Sequence, residues 1–129
     1  FDLQRYPHEL SGGQMQTVCI MRSLATRPEV LFLDEPFSAL DFEMTLFIRA
    51  KLQEAHLATG TTMVIVSHDL EDAVFLADQI LLLTRRPTRI AEIVPFDLPR
   101  PRLPEAVADP EFVRVKAHTL EVFRREMKA

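Results

Sequence analysis

Two adjacent carboxylates, Asp34 and Glu35, follow the apolar run Val30, Leu31, Phe32, Leu33 and precede Pro36. A short apolar run stopped by a proline predicts a buried parallel strand, and ligands of open α/β sheets gather where such strands end. Successive strand residues point to opposite sides, so the two acids can divide the work: one holds a cation while the other faces a water. That division suits metal-assisted phosphoryl transfer. A competing reading makes Asp34 and Glu35 mere caps for the next segment, since acids favour helix starts and turns. A two-acid motif is too short to choose between them, and its context must decide.

A second chemical feature is LSGGQ at residues 10–14. Ser11 with Gln14 three residues later, ahead of Val18, Met21, Leu24 and Ala25, reads as a capping box opening a helix. A cap needs neither Gly12 nor Gly13, and each glycine costs up to about 1 kcal/mol relative to alanine in a helix. Without side chains, the unpaired N–H groups and positive dipole end of that helix can approach a phosphate closely. Ser11 adds a hydroxyl donor, which makes an anion cradle. The third feature is His68, which follows the β-branched run TTMVIVS at residues 61–67 and precedes Asp69, an expected N-cap. There it could donate a hydrogen bond to the anion that Asp34 and Glu35 attend. His8, His56 and His118 lack such a position and default to structural roles.

These residues need elements to hold them. The helix begun at Ser11 should end at Pro28. A connector over residues 37–41 leads into a second helix, with Met44, Phe47, Ile48, Leu52 and Ala55 on one face and Gly60 as its closing C′ glycine. Residues 61–67 then form a strand parallel to the first across that helix. LEDAVFLA is a third helix, residues 80–84 a third strand, and residues 89–94 a fourth after a turn at Arg86-Pro87. Residues 95–110 hold 5 of the 9 prolines and read as a stiff connector without readable chemistry. Residues 111–128 read as a last helix, offering Phe112, Val115, Leu120 and Phe123 for packing.

The 129 residues are 47% hydrophobic and 26% charged, which suits one globular domain. No apolar run reaches the roughly 18 residues that span a bilayer, and no amino-terminal signal pattern is present. Cys19 cannot pair within the chain, and its apolar neighbours suggest a buried structural thiol in a cytosolic setting. The net charge of −4 divides unevenly: residues 1–84 carry 5 basic and 12 acidic side chains, residues 85–129 carry 10 and 7. The basic excess in the second segment is weak and mixed, so nucleic acid is not an expected partner.

LSGGQ at 10–14, LFLDEP at 31–36, SALD at 38–41 and Ser67-His68-Asp69 resemble, in order and spacing, the motifs of ABC-type ATPase domains. The resemblance implies that Ser11, Gly12, Gly13 and Gln14 form the signature motif, which contacts the γ-phosphate of ATP bound by the opposite protomer. By the same resemblance Asp34 is the Walker B acid near Mg2+, Glu35 the general base, Asp41 the D-loop aspartate and His68 the switch histidine. YPHELSGGQ, EDAVFLAD, FDLPRPR and the closing DPEFVRVKAHTLEVFRRE are similar to the ATPase subunits of bacterial nitrate, sulfonate and taurine importers. That family usually has arginine where Thr17 stands and alanine where Met21 stands.

A P-loop needs G-x-x-x-x-G-K-[ST], and Gly12, Gly13 and Gly60, the three glycines of the chain, do not supply it. The resemblance therefore implies the C-terminal half of an α/β, P-loop (ABC-type, RecA-like) ATPase domain. Its mainly parallel sheet would be flanked by helices, with apolar edges exposed where the other half packs. Residues 1–94 would be the half-core, 95–110 the connector and 111–129 the C-terminal helix. Implied partners are a second ATPase subunit in a head-to-tail dimer, permease subunits and, indirectly, a periplasmic solute-binding protein, at the cytoplasmic face of the cell membrane. A non-enzymatic half-domain that offers its signature to a partner is the alternative. An ABC-type ATPase of DNA repair or chromosome maintenance is a third reading, disfavoured because no coiled-coil heptads are present.

Overall fold

In the computed structural model, which describes residues 12–128, the chain is α/β and divides into two compact units between Ser67 and His68. Ser11, with the capping box built on it, and His8 lie outside the described residues.

The first unit contains α1 (Gly12–Ala25), β1 (Val30–Asp34), α2 (Phe42–Thr59) and β2 (Thr62–Val66). Helix α1 ends at Ala25, and Arg27 leaves it in the left-handed region at φ 49° just before Pro28, which cannot continue a helix. Its inward face carries Thr17 and Ile20, not the Val18 and Met21 expected from spacing; Met21 is 37% exposed. Thr17 tolerates burial because its hydroxyl donates to the Gly13 carbonyl at 2.9 Å. Cys19, expected to be buried, is exposed.

Strands β1 and β2 pair in parallel, from Val30 opposite Thr62 to Asp34 opposite Val66. The intervening α2 is the crossover that parallel pairing requires. Asp41 caps α2 by accepting from the Met44 N–H at 2.8 Å, and Gly60 closes it at φ 71°, donating its N–H to the His56 carbonyl. The inward face of α2 is Ile48, Arg49, Leu52 and Gln53, whereas Phe47 is 46% exposed. Thr61 ties β2 back to the lead-in of β1 through its hydroxyl on the Pro28 carbonyl, 2.8 Å away. Strand β1 alternates rather than being buried on both sides: Leu31 and Leu33 are covered, Val30 and Phe32 are exposed. Val64 and Val66 extend the same uncovered face on β2.

The second unit contains α3 (Leu70–Leu76), β3 (Gln79–Leu83), β4 (Ile90–Pro95), a 3-10 turn (Pro104–Ala108) and α4 (Pro110–Lys128). Strands β3 and β4 form an antiparallel hairpin, so parallel pairing among the described residues belongs to β1 and β2. Asp69 caps α3 as expected, accepting from the N–H groups of Glu71 and Asp72. The core packs α3, the hairpin and α4 around Val74, Phe75, Ile80, Leu82, Val94, Phe112 and Val115, with Phe75 and Phe112 edge to face at 6.5 Å. On α4 the buried positions are Phe112, Val115, Thr119 and Val122; Phe123 is 40% exposed.

The proline-rich stretch contributes Leu98 and Arg102 to this core. A helix leaves its last carbonyls without partners, and Arg102 answers three at the end of α3: Val74 and Phe75 at 3.0 and 3.1 Å, and Ala77. Arg100 takes the Leu76 carbonyl and pairs with Asp78 at 3.0 Å. Nothing in the composition of the stretch signals this.

Candidate functional site

Asp34 is the last residue of β1 and is exposed. The ladder continues one step further, with the Glu35 N–H donating to the Val66 carbonyl at 2.8 Å. Glu35 then turns out of the strand at φ 49°, a conformation that costs a non-glycine residue on the order of 1–3 kcal/mol and clusters at functional sites. Its Oε1 atom is buried. The two acids therefore occupy different surroundings: one carboxylate open to solvent, the other turned partly inward.

Behind them Pro36 and Phe37 are buried, and two reverse turns follow, Ser38 N–H to the Glu35 carbonyl and Leu40 N–H to the Phe37 carbonyl. Asp41 takes the α2 cap. Asp34 and Glu35 therefore do not cap α2, although Glu35 does begin the first of these turns.

The start of α1 lies against this connector. A Cβ on Gly13 would meet the Ala39 carbonyl oxygen at 2.6 Å, so the residue has to be glycine for the helix to lie this close; Gly12 has nothing within 4 Å. Gln14 is half-buried in the same turn. Gln16, which sequence reasoning missed, spans the junction. Its side-chain NH2 donates to the Glu35 carbonyl at 2.9 Å, and its oxygen accepts from the Ala39 N–H at 3.1 Å.

Gly12, Gly13, Gln14, Asp34, Glu35 and Asp41 thus belong to the first unit. His68 opens the second; it is exposed and stands between the end of β2 and the Asp69 cap. The other described histidines have local structural partners, His56 on the Thr61 carbonyl and His118 on Glu92.

Among the described residues no group of three or more His, Cys, Asp or Glu gathers as a metal cage. A single exposed carboxylate such as Asp34 does fit Mg2+, which is commonly held by one or two carboxylates together with nucleotide phosphates and water.

The family model described as ABC transporter matches residues 2–38. The aliphatic sulfonates import ATP-binding protein SsuB of Bacillus licheniformis is 40% identical over 93% of this chain and 46% of its own length. The nitrate import ATP-binding protein NrtC of Synechococcus elongatus is 37% identical over 97% of this chain and 19% of its own length. The chain therefore spans about half the length of the first relative and a fifth of the second. A dimeric structure of a bacterial ABC transporter cassette superposes with a TM-score of 0.56 at 36% identity, covering 60% of this chain and 33% of that one. Matched along nearly its whole length by ATP-binding proteins of importers, and carrying two acids at the end of a parallel strand beside a glycine-bearing helix start, this chain belongs to the ABC transporter ATP-binding family.

Proposed function

We propose that this chain supplies the hydrolytic half of an ATPase that powers solute import of the nitrate, sulfonate or taurine class, its P-loop lying elsewhere in a longer polypeptide. The observation that carries the reading is Glu35. A carboxylate set in a left-handed turn immediately after an exposed strand-end acid, with one oxygen buried, would suit holding and polarising a water, which supports the reading. Asp34 would hold Mg2+ with the nucleotide phosphates; the bound ion would neutralise charge on the transferring phosphoryl group. His68 would donate a hydrogen bond to the same phosphate, and Asp41, at the head of α2, would face the neighbouring protomer.

Ser11, Gly12, Gly13 and Gln14 would meet the γ-phosphate held by that neighbour. A head-to-tail dimer then has two equivalent sites, because each subunit gives one face and receives the other. Closure on ATP would be passed to permease subunits, with a solute-binding protein acting indirectly on the far side of the membrane. The ATPase would sit as a peripheral subunit on the cytoplasmic face of the membrane. Among the described residues no helix is long and apolar enough to cross a membrane.

The test is Glu35→Gln in the full-length protein. ATP binding should persist while turnover falls by about 100-fold or more, the scale of a lost general base. Hydrolysis at the parental rate would reject the role given to Glu35 and the reading built on it.

A further inference from the structure

The backbone of Glu35 is held at both its N–H and its carbonyl. Its N–H is held by the Val66 carbonyl at 2.8 Å, which anchors it to β2. Its carbonyl accepts from the Ser38 N–H at 3.3 Å within the connector and, across to α1, from Gln16, whose NH2 donates to it at 2.9 Å and also reaches Ser38 Oγ at 3.4 Å. The other end of the same amide accepts from Ala39 N–H at 3.1 Å. Donor and acceptor ends are engaged at once, so the amide has one orientation. Gln16 stands one helical turn beyond Gly12 and Gly13 on a continuous helix, and a turn of α-helix rises only about 5.4 Å.

Resting on the function proposed above, we infer that Gln16 is a positioning residue: it fixes the Glu35 carbonyl and the residue 38–39 connector to the first turn of α1. The phosphate-facing turn and the general base then move as one piece. In a head-to-tail dimer the first turn of α1 serves the neighbour's nucleotide while Glu35 serves its own subunit's. Gln16 therefore links the two sites through about one turn of helix and one hydrogen bond. The left-handed turn at Glu35 makes this link matter, because a strained backbone persists only while its surroundings over-determine it.

A staple that only stabilises the unit would lower the folded fraction and leave the folded enzyme active. A positioning residue lowers kcat while nucleotide affinity holds. The experiment measures ATP affinity, kcat per folded dimer and melting temperature for Gln16→Met and Gln16→Glu in the full-length protein, with Glu35→Gln as reference. Methionine keeps the length and removes all three hydrogen bonds; glutamate keeps an acceptor for Ala39 and removes the donor to Glu35. Both should lower kcat by roughly 10- to 100-fold, the scale of a small misplacement at the reacting centre, with affinity within about twofold. If Gln16→Met does not fold, Gln16→Glu decides alone. A folded variant with kcat near the parent overturns the inference, as does a loss of activity that only tracks the folded fraction. If Glu35→Gln abolishes turnover and the Gln16 variants do not, the role of Gln16 falls and the proposed function stands. If Glu35→Gln is also fully active, the functional reading falls first.

Discussion

A Cβ built on Gly13 would stand 2.6 Å from the carbonyl oxygen of Ala39, against backbone that cannot swing aside as a side-chain tip would. Gly13→Ala should therefore push α1 off the connector and destabilise the protein by about 1–3 kcal/mol, as overpacking does. Gly12→Ala meets open space and should be neutral or stabilising by up to about 1 kcal/mol. Denaturant midpoints for the two variants check the contrast, and equal effects would contradict the close approach.

Arg102 gathers the carbonyls of Val74, Phe75 and Ala77 at the end of α3, where Arg100 takes that of Leu76. Burial pushes its guanidinium down to about 10, with the neighbouring Arg100 charge adding to the shift, and it stays charged near neutral pH. Arg102→Lys cannot reach the carbonyls of Val74, Phe75, Ala77 and Leu98 together. Buried carbonyls left without donors cost on the order of 1–3 kcal/mol each before relaxation, and a total loss of about 2–4 kcal/mol is expected. Arg100→Ala, on a partly open pair with Asp78, should cost less. Unfolding curves of both variants make the comparison.

Asp41 and Asp69 each accept from backbone N–H groups at a helix start. Replacing either with alanine should cost about 0.5–2 kcal/mol, and asparagine should restore most of it. Amide exchange at Met44, and at Glu71 and Asp72, would rise in the alanine variants and not in the asparagine ones.

At the start of α4, the hydrogen bond from Arg114 holds the Glu111 carboxyl below its ordinary value, with the Arg114 charge acting in the same direction. A lowered folded value means that the folded state binds fewer protons than the unfolded one as the carboxyl titrates. The stabilisation is present above the unfolded value and is lost as pH falls through the folded one. Arg114→Ala should move the Glu111 titration, followed by NMR, up toward that of a free carboxylate. No movement would show that the pair is not formed in solution.

Local rules were enough for the sequence to determine the order of helices and strands, the cap at Asp69, the glycine end at Gly60 and the two acids closing β1. Each depends on residues within a few positions of one another: a side chain reaching an N–H two or three residues on, a glycine accepting a left-handed turn, an apolar run ended by proline. The pairing of β1 with β2 was legible because an intervening helix demands a parallel crossover.

Tertiary structure alone decided the rest, because those features join residues far apart in the chain. Gln16 and Glu35 are 19 positions apart, and Arg102 lies 28 from Val74. No periodicity encodes such a meeting. The same reason explains the faces that spacing misassigned. Val30 and Phe32 look as ready for burial as Leu31 and Leu33, and which pair is covered depends on what packs against each face of the sheet, not on hydrophobicity. Gly13 and Gly12 look alike in sequence, and only the proximity of Ala39 makes one of them indispensable.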